Sequence, residues 1–403
     1  RGRIVYRCIT LAIAALLFSN QGYASAPANA QQLAEDALII DTHIDAPTEL
    51  LRQWKDIGLA TDREFDYPKA RQGGLDVAFM SIYTSPGEDA AGKARQTANM
   101  QIDAVEALSA RHPDKFAVVS SPGDIGKLRE GGRVLLALGM ENGAPIGDDL
   151  TQLKAFHDRG VRYITLAHSQ SNRISDSSYD KNRPWNGLSP FGEQVVAEMN
   201  RLGIMVDVSH LSDDAVADVL QLSNVPVIAS HSGFRHFTPG FERNISDALA
   251  KAVAAKGGVL QVVFGTGFVN RQAADDIQAY FTAVAALEKR NAEAAAVGKA
   301  LEDETAFDKK WNAEHPTPAT PIDAVIEQIE YAVKLVGIDH VGLGSDFDGV
   351  GGNLPDGLRT TADYPNLVAA LQTRGFNDQD IRKILGGNLL RVWKDVEAAA
   401  SAR

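Results

Sequence analysis

Cysteine is almost absent from this chain of 403 residues. The single one, Cys8, lies in an apolar run near the N-terminus, so the remainder can form no disulfide and no thiolate ligand. A metal ion bound beyond that run would have to be held by histidine and carboxylate side chains. An excess of positive charge is also missing, because the formal net charge is −12. Such an acidic chain is a poor partner for nucleic acid or anionic lipid.

Long apolar runs are lacking too. The longest, residues 8–18 (CITLAIAALLF), is too short to span a bilayer. Basic residues precede it, and the small-residue sequences ASA and ANA follow at 24–26 and 28–30. This pattern predicts a secretory signal peptide over residues 1–30, cleaved after Ala30. We therefore expect an exported protein, periplasmic or secreted, without a stable membrane anchor after cleavage; an uncleaved anchor is the alternative.

Short strand-like runs recur along the rest of the chain. They are rich in Val, Ile and Leu and mostly lack polar alternation, which is typical of parallel strands buried on both faces. Segments with helical periodicity separate them. The runs cover residues 37–45, 76–84, 133–141, 161–169, 204–210, 225–232, 258–264 and 340–347. This alternation predicts an α/β fold, a (β/α)8 TIM barrel. A doubly wound open sheet is the alternative, but no glycine-rich phosphate-binding sequence follows the first run.

Residues 271–320 interrupt the alternation of strands and helices. The segment is rich in Ala, Glu, Lys and Asp and ends in HPTPATP. It predicts a helical insertion between strands 7 and 8 of a single barrel domain, residues 31–403. A second irregular segment is the loop 172–189. Both segments could cover the mouth of the barrel and set the side-chain preference of a site there.

Ionisable residues gather at the C-terminal ends of the predicted strands, and only runs 76–84 and 258–264 end without one. In a barrel these ends meet at one mouth, where active sites lie. Buried ionisable groups are costly unless they are paired or bind a metal. Residues two apart on a strand point to the same face, which suits two ligands of one metal ion. The set comprises His43, Asp45, Glu141, His168, His210, His231 and Asp346.

Two ligand pairs follow from this arrangement. His43 and Asp45 share the first strand, and His210 and His231 end neighbouring strands. Glu141 ends a strand between the two pairs, and its two oxygens could bridge two ions. Neutral imidazole and carboxylate suit zinc and similar metals, and two ions about 3.5–4 Å apart can polarise a carbonyl and deliver a hydroxide. The pattern by itself predicts a metal-dependent hydrolase.

The remaining histidines do not join this set. A lone histidine is more often structural than a ligand, so these four are interpreted as structural. They lie in predicted loops or helices or at the opposite end of a strand: His112, His157, His315 and His340. His236 lies in the mouth loop after the sixth strand, where either interpretation holds.

In combination, the motifs of this chain resemble those of the renal (membrane) dipeptidase family of zinc peptidases. They are DTHIDAPTELL, GMENG, GVRYITLAHS, VDVSH, PVIASHSG, RNISD, GLGSDFDGV and GGNLLRVW, in this order between about residues 35 and 394. That family has an amidohydrolase-like (β/α)8 barrel and hydrolyses dipeptides at a binuclear zinc centre. The resemblance implies two Zn²⁺ per chain and L-Xaa-Xaa substrates, including those with a D-residue at the C-terminal position. A homodimer is common in the family.

The resemblance also implies a role for each residue. His43 and Asp45 would bind the first zinc, Glu141 would bridge both, and His210 and His231 would bind the second.

Substrate and proton would be handled by three further residues. His168 would contact the substrate carbonyl, and Arg243 of RNISD would hold the C-terminal carboxylate in a bidentate fork. Asp346 would carry a proton from the bridging water to the leaving amine. Asp348, two residues on, is expected to shape the loop after strand 8.

Two departures and two alternatives remain open. The cysteines of mammalian members are missing, and the chain ends in polar VEAAASAR instead of a lipid-anchor signal. One alternative is another binuclear metal hydrolase on the same barrel, such as a lactonase, deaminase or phosphotriesterase. Those relatives often use a carboxylated lysine, whereas the third and fourth strands here end in Glu141 and His168. The other alternative is a periplasmic binding protein, which would not need a full ligand set.

Overall fold

Parallel strands form the centre of the molecule. The computed structural model describes residues 26–300 and 302–401. The strands in this part of the chain are β1 (Ile39–Ile44), β2 (Leu75–Tyr83), β3 (Phe116–Val118), β4 (Val134–Glu141), β5 (Val161–Thr165), β6 (Met205–Asp207), β7 (Ile228–Ser232), β8 (Val259–Val262) and β9 (Val341–Leu343).

All but one of these strands form a nearly closed barrel. The hydrogen-bonded order is β1-β2-β4-β5-β6-β7-β8-β9, every pair is parallel, and β3 pairs with β4 outside this order. An isolated parallel bridge between Ile44 and Phe347 joins the two ends. There the backbone N–H of Asp45 donates to the carbonyl of Phe347 over 2.8 Å. The predicted (β/α)8 barrel is confirmed, and β3 is an addition that the sequence pattern did not predict.

Several strands are shorter than the apolar runs that predicted them. The runs 204–210 and 340–347 continue past β6 and β9 into turns. In these turns His210 has a φ of 70° and Asp346 a φ of 67°. Residues other than glycine rarely adopt this left-handed backbone conformation, and those that do often lie at functional sites. The side chains of His210 and Asp346 therefore lie at the mouth of the barrel, just after β6 and β9 end.

Helices surround the barrel and connect its strands. They are α1 (Ala28–Asp36), α2 (Ala46–Arg52), α3 (Tyr67–Gly73), α4 (Pro86–Ala90), α5 (Ala94–Arg111), α6 (Ile125–Leu128), α7 (Thr151–Asp158), α8 (Pro190–Leu202), α9 (Asp213–Leu222), α10 (Asp247–Ala255), α11 (Thr266–Val269), α12 (Arg271–Ala296), α13 (Glu304–Glu314), α14 (Asp323–Val336), α15 (Tyr364–Thr373), α16 (Asp378–Arg382) and α17 (Asn388–Ser401). Helices α12 and α13 occupy most of the segment 271–320, between β8 and α14.

Serine residues cap the N-termini of three of the helices that follow barrel strands. Ser189, Ser212 and Ser246 accept hydrogen bonds from backbone N–H groups in the first turns of α8, α9 and α10. Each cap satisfies a donor that the helix itself cannot pair, which contributes about 1 kcal/mol. The caps fix where the chain turns from the mouth of the barrel into the surrounding helices.

Helix α1 contains the predicted signal-peptide boundary. The helix begins at Ala28, and its residues Ala30, Leu33 and Ala34 are buried. A cut after Ala30 would therefore fall inside the helix. Residues 1–25, with the predicted apolar run, lie outside the described residues. In the part of the chain that the structure describes, no helix has the length and apolarity needed to cross a membrane.

Candidate active site

The structure brings the predicted metal ligands together at the C-terminal mouth of the barrel. His43 Nε2 lies 3.4 Å from Asp45 Oδ2 and 3.4 Å from Glu141 Oε2. On the opposite side, Glu141 Oε1 lies 3.1 Å from His210 Nε2 and 3.3 Å from His231 Nε2. Glu141 thus directs one oxygen to each ligand pair, which is the arrangement of a carboxylate that bridges two sites.

The protonated nitrogen of His43 follows from its hydrogen bonds. Tyr163, on β5, donates its one hydroxyl hydrogen to the carbonyl of Thr42 over 2.9 Å. The same hydroxyl lies 2.9 Å from His43 Nδ1 and must accept there, so Nδ1 carries the hydrogen. Burial lowers the pKa of His43, but Tyr163, Glu141 and Asp45 together raise it well above its ordinary value. The other nitrogen, Nε2, is the atom at which a bound metal ion would replace a second proton. It is buried without a hydrogen-bond partner among the described residues, as expected for an atom that binds a metal ion.

The second histidine pair leads to the same conclusion. Ser230 donates its hydroxyl hydrogen to Asp207 over 2.6 Å, so it accepts from His231 Nδ1, 2.8 Å away. Arg243 Nη2, which can only donate, lies 3.0 Å from His210 Nε2. The Nε2 atoms of His210 and His231 are therefore both acceptors, yet they face each other over 3.0 Å. A cation between them would remove this repulsion.

The charge states of the site also suit a divalent metal. Burial lowers the pKa of His210 and of His231 well below the ordinary value, so both rings are neutral. Burial alone would raise the pKa of Glu141, but His43 and His168 lower it to well below its ordinary value. The neutral imidazoles of His210 and His231 beside an ionised Glu141 carboxylate provide the kind of donor that divalent metals require.

Three overlapping groups of side chains could hold a metal ion. Within each group, one ligand atom from each residue lies within 4.8 Å of the others. The groups are His43, Glu141 and His231; Glu141, His168 and His210; and His43, Asp45 and Asp346. Because Glu141 belongs to two of the groups, the residues fit a centre with more than one ion.

His168 lies near Glu141 and His210, and Asp346 lies near His43 and Asp45. The side chain of His168 is 20% exposed, and its Nε2 lies 3.6 Å from Glu141 Oε1. Asp346 is buried. Burial raises its pKa well above the ordinary value; His43 opposes this shift, and the carboxylates of Asp45 and Glu141 add to it. Asp346 is thus a carboxyl group with a strongly increased proton affinity next to the site.

Arg243 lies behind the histidine pair. It is 3% exposed, donates to the carbonyl of His231 over 2.8 Å, and its guanidinium lies over the ring of Phe268 at 5.1 Å. Its Nε–H is buried without a partner among the described residues. Arg243 is not among the residues that line the cavity in front of the site; the arginine that does line it is Arg52 of α2.

A cavity of about 590 Å³ opens in front of the ligand set. Its inner wall is formed by the strand-end residues and its outer wall by helices α12 and α13. Sequence reasoning missed Tyr83 and Tyr179, which also line it. Tyr83 ends β2, at the position where other strands carry ionisable residues, so its place on the strand could have indicated it. Tyr179 lies in an irregular loop that carries no comparable signal.

His112, His236 and His315 lie outside the set of candidate metal ligands. His112 pairs with Asp56 over 2.7 Å, and His236 stacks on Tyr331 outside the ligand set. His315, which the sequence placed with the structural histidines, lies on the cavity wall.

Asp348 accepts from the backbone N–H groups of Glu64 and Phe65 over 2.9 and 3.4 Å. It therefore fixes the loop after β9, as predicted.

Most of this chain is similar to known dipeptidases. A family model described as membrane dipeptidase, peptidase family M19, matches residues 27–403. The chain belongs to the M19 family. The chain is 29% identical over 345 residues to Dipeptidase tcpJ of Claviceps purpurea, covering 84% of this chain and 70% of the relative. This M19 protein is therefore a hydrolase of the metallo-dipeptidase type.

Solved structures show the same architecture. The probable dipeptidase PvdM of Pseudomonas aeruginosa is 29% identical, with a TM-score of 0.79 over 92% of this chain and 98% of that one. A metallopeptidase of Rhodobacter sphaeroides, solved with a phosphinate mimic of the dipeptide L-Ala-D-Ala, is 23% identical. Its TM-score is 0.72 over 90% of this chain and 100% of that one, so the two chains share a fold.

Two buried aspartates organise the backbone below the M19 site. Asp41 accepts from the N–H groups of His43 and Ser345, each over 3.0 Å. Asp207 accepts from the N–H groups of Ser209 and Ser230 over 3.1 and 2.7 Å. Each aspartate joins two strand ends and precedes a candidate ligand by two or three residues. Sequence reasoning missed both, although they lie inside the DTHID and VDVSH motifs.

Proposed function

We propose that this protein is a two-zinc dipeptidase that hydrolyses L-Xaa-Xaa dipeptides, including those with a D-residue at the C-terminal position. The observation that carries the proposal is the position of Glu141, with one oxygen towards each ligand pair. In this proposal His43 and Asp45 hold one ion, and His210 and His231 hold the other. Bound divalent metals would polarise the scissile carbonyl and lower the pKa of a water molecule.

Two residues would act on the substrate directly. Asp346, whose pKa burial raises, would accept a proton from the attacking water and deliver it to the leaving amine. His168, partly exposed to the cavity, would donate a hydrogen bond to the carbonyl oxygen and stabilise the charge that develops there. Both lie in or beside a group of candidate metal ligands, which is where the reacting atoms would have to be.

Arg243 would hold the free carboxylate of the substrate. Among the described residues its Nε–H has no hydrogen-bond partner, and its fork lies beside His210 and His231. A carboxylate at that fork would place the adjacent peptide bond at the second ligand pair, which selects short substrates. The competing candidate is Arg52, which lines the cavity but is 71% exposed and pairs with Glu49.

The nature of the cavity supports a dipeptidase over the other amidohydrolase chemistries. Within the described part of the chain, the residues that line the cavity include no lysine, so a carboxylated-lysine bridge has no candidate there. Acceptance of a D-residue is supported by the related Rhodobacter sphaeroides enzyme, which was solved with a mimic of L-Ala-D-Ala. The basic and apolar pattern of residues 1–30 supports export to the periplasm or beyond.

A dipeptide library tests the proposal. The purified protein would be analysed for metal content and then incubated with dipeptides of varied side chains, with L- and D-residues at the second position. The proposal expects two zinc ions per chain and release of free amino acids from both series. Two bound metals without hydrolysis of any dipeptide would overturn the dipeptidase assignment.

A further inference from the structure

The outer wall of the cavity carries an apolar and aromatic strip, bordered by Asp276, Asn312 and His315, that the reaction itself does not require. On helix α12, Ala273, Ile277, Tyr280 and Phe281 line the cavity. They are spaced i, i+4, i+7 and i+8, so they share one face of the helix. An amphipathic helix normally buries such a face against its own protein. Here that face borders an open cavity, where a bound ligand could cover it.

Aromatic rings continue this face on both sides. The ring of Phe281 lies 4.5 Å from that of Tyr179 and 5.6 Å from that of Tyr280. Tyr280 in turn lies 5.8 Å from Trp311 of α13. Phe281 and Trp311 are only partly buried. Contact with an apolar ligand would remove this aromatic surface from water, and aromatic pairing adds to the benefit of burial.

The apolar face lies next to the proposed carboxylate anchor. The guanidinium of Arg243 lies over the ring of Phe268, and Ile277 and Val350 pack against the cluster that contains Phe268. A substrate residue held at Arg243 by its carboxylate would therefore direct its side chain along Phe268 towards Ile277 and Phe281. The cavity of about 590 Å³ has the size of sites that enclose drug-sized ligands, which exceeds the needs of a dipeptide backbone.

We infer that Ile277, Phe281, Tyr280 and Trp311 form a subsite for a large apolar or aromatic side chain on the C-terminal residue of the substrate. This inference rests on the proposed dipeptidase function and names its specificity. Loss of a ring from an apolar pocket changes discrimination by one to two orders of magnitude. The strand-end residues would be unaffected by such a loss, because the subsite lies on helices outside the barrel.

The test compares kcat/KM for Gly-Phe, Gly-Ala and Phe-Gly, with L- and D-forms of the chiral residue. The wild-type enzyme should prefer Gly-Phe over Gly-Ala by at least about tenfold, and Gly-Phe over Phe-Gly. Phe281→Ala should lower the ratio of Gly-Phe to Gly-Ala about tenfold. Thr282→Ala is the control, because Thr282 follows Phe281 on α12 but is exposed and does not line the cavity; its ratio should match the wild type.

Each other outcome overturns the inference. A wild-type enzyme without preference for Gly-Phe, or one that prefers Phe-Gly, excludes a C-terminal apolar subsite. So does a Phe281→Ala ratio equal to that of Thr282→Ala. Circular dichroism would establish that the variants fold, and Phe281→Leu, expected to lower the ratio severalfold, replaces Phe281→Ala if that variant does not. Failure of the proposed function is distinct, because no dipeptide would then be cleaved by the zinc-loaded wild type.

Discussion

The inner and outer walls of the cavity are built in opposite ways. The inner wall consists of polar side chains at strand ends that are almost fully buried: His43 is 0% exposed, His231 1% and Glu141 4%. Hydrogen bonds to the barrel hold each of them. The outer wall includes partly exposed rings on α12 and α13, which contact one another and Tyr179 of the loop 172–189. Under the proposed function, the barrel residues carry out the chemistry and the insertion sets the selectivity.

The largest effect should come from the inner wall, at Asp346. We expect Asp346→Asn to lower kcat by about 100- to 10,000-fold, because the amide cannot carry the proton, and to retain both metal ions. Steady-state kinetics and elemental analysis of the same sample measure the two quantities. The effect should be equal for all dipeptides, in contrast to any change on the outer wall. Parallel loss of metal would contradict the role of proton carrier and make Asp346 a ligand.

The next largest effect should separate the two arginines near the cavity. Arg243→Met should lower kcat/KM for free dipeptides by about 10- to 100-fold, which is the strength of hydrogen bonds between charged groups, chiefly through KM. Arg52→Met, at the exposed rim, should change it less than about threefold. Amidated dipeptides, which lack the carboxylate, provide the control. An equal loss on amidated and free substrates would remove Arg243 from the role of anchor.

An effect of similar size, on metal affinity instead of kcat/KM, should follow from changing a residue beneath the inner wall. Tyr163→Phe removes the hydroxyl that accepts from His43 Nδ1, and the loss of such an outer-shell partner costs about 10- to 100-fold in metal affinity. Titration of the metal-free protein with zinc, in competition with a chelator of known affinity, measures the change. Phe281→Ala on the outer wall should bind zinc like the wild type. Unchanged affinity in Tyr163→Phe would show that His43 is oriented by other contacts.

The smallest effect should come from Glu64, which supports the loop after β9, and it should appear in the stability of the protein. Burial raises its pKa from 4.5 to about 7. Between these values the folded metal-free protein retains a proton that the unfolded chain has lost, so the free energy of unfolding falls as pH rises from 4.5 to 7. Glu64→Gln should remove this contribution to the pH dependence. The contribution is at most about 3 kcal/mol of unfolding free energy between pH 4.5 and 7, and it is less than that because solvent reaches the side chain. Urea unfolding at several pH values measures the slope, and an unchanged slope would exclude Glu64 as its source.

Much of the inner wall could be predicted from the sequence because its signals are local. Apolar runs mark the barrel strands, and His43, Asp45 and Glu141 directly follow or end such runs. In a barrel, that position alone brings them to one mouth. The left-handed turns at His210 and Asp346 were not predicted, because the apolar runs continue through them and hide the point where β6 and β9 end.

Contacts between distant parts of the chain could not be predicted in this way. The hydroxyl of Tyr163 reaches His43 across the barrel, and nothing in the sequence around either residue indicates that pairing. The guanidinium of Arg243 lies over Phe268 of α11, 25 residues further along the chain. The placement of the aromatic face of α12 at the cavity depends on how the insertion folds over the mouth. The sequence identified 271–320 as a helical insertion, but its polar composition concealed the few rings that face the cavity.

Removal and return of metal would show whether dipeptide hydrolysis depends on the strand-end residues and the ions that they would hold. The protein would be dialysed against a chelator, titrated with zinc, and assayed for dipeptide hydrolysis at each step. The account predicts no hydrolysis in the metal-free protein, and activity that returns as the bound metal approaches two ions per chain. Full hydrolysis after complete removal of metal, or saturation below one ion per chain, would contradict it.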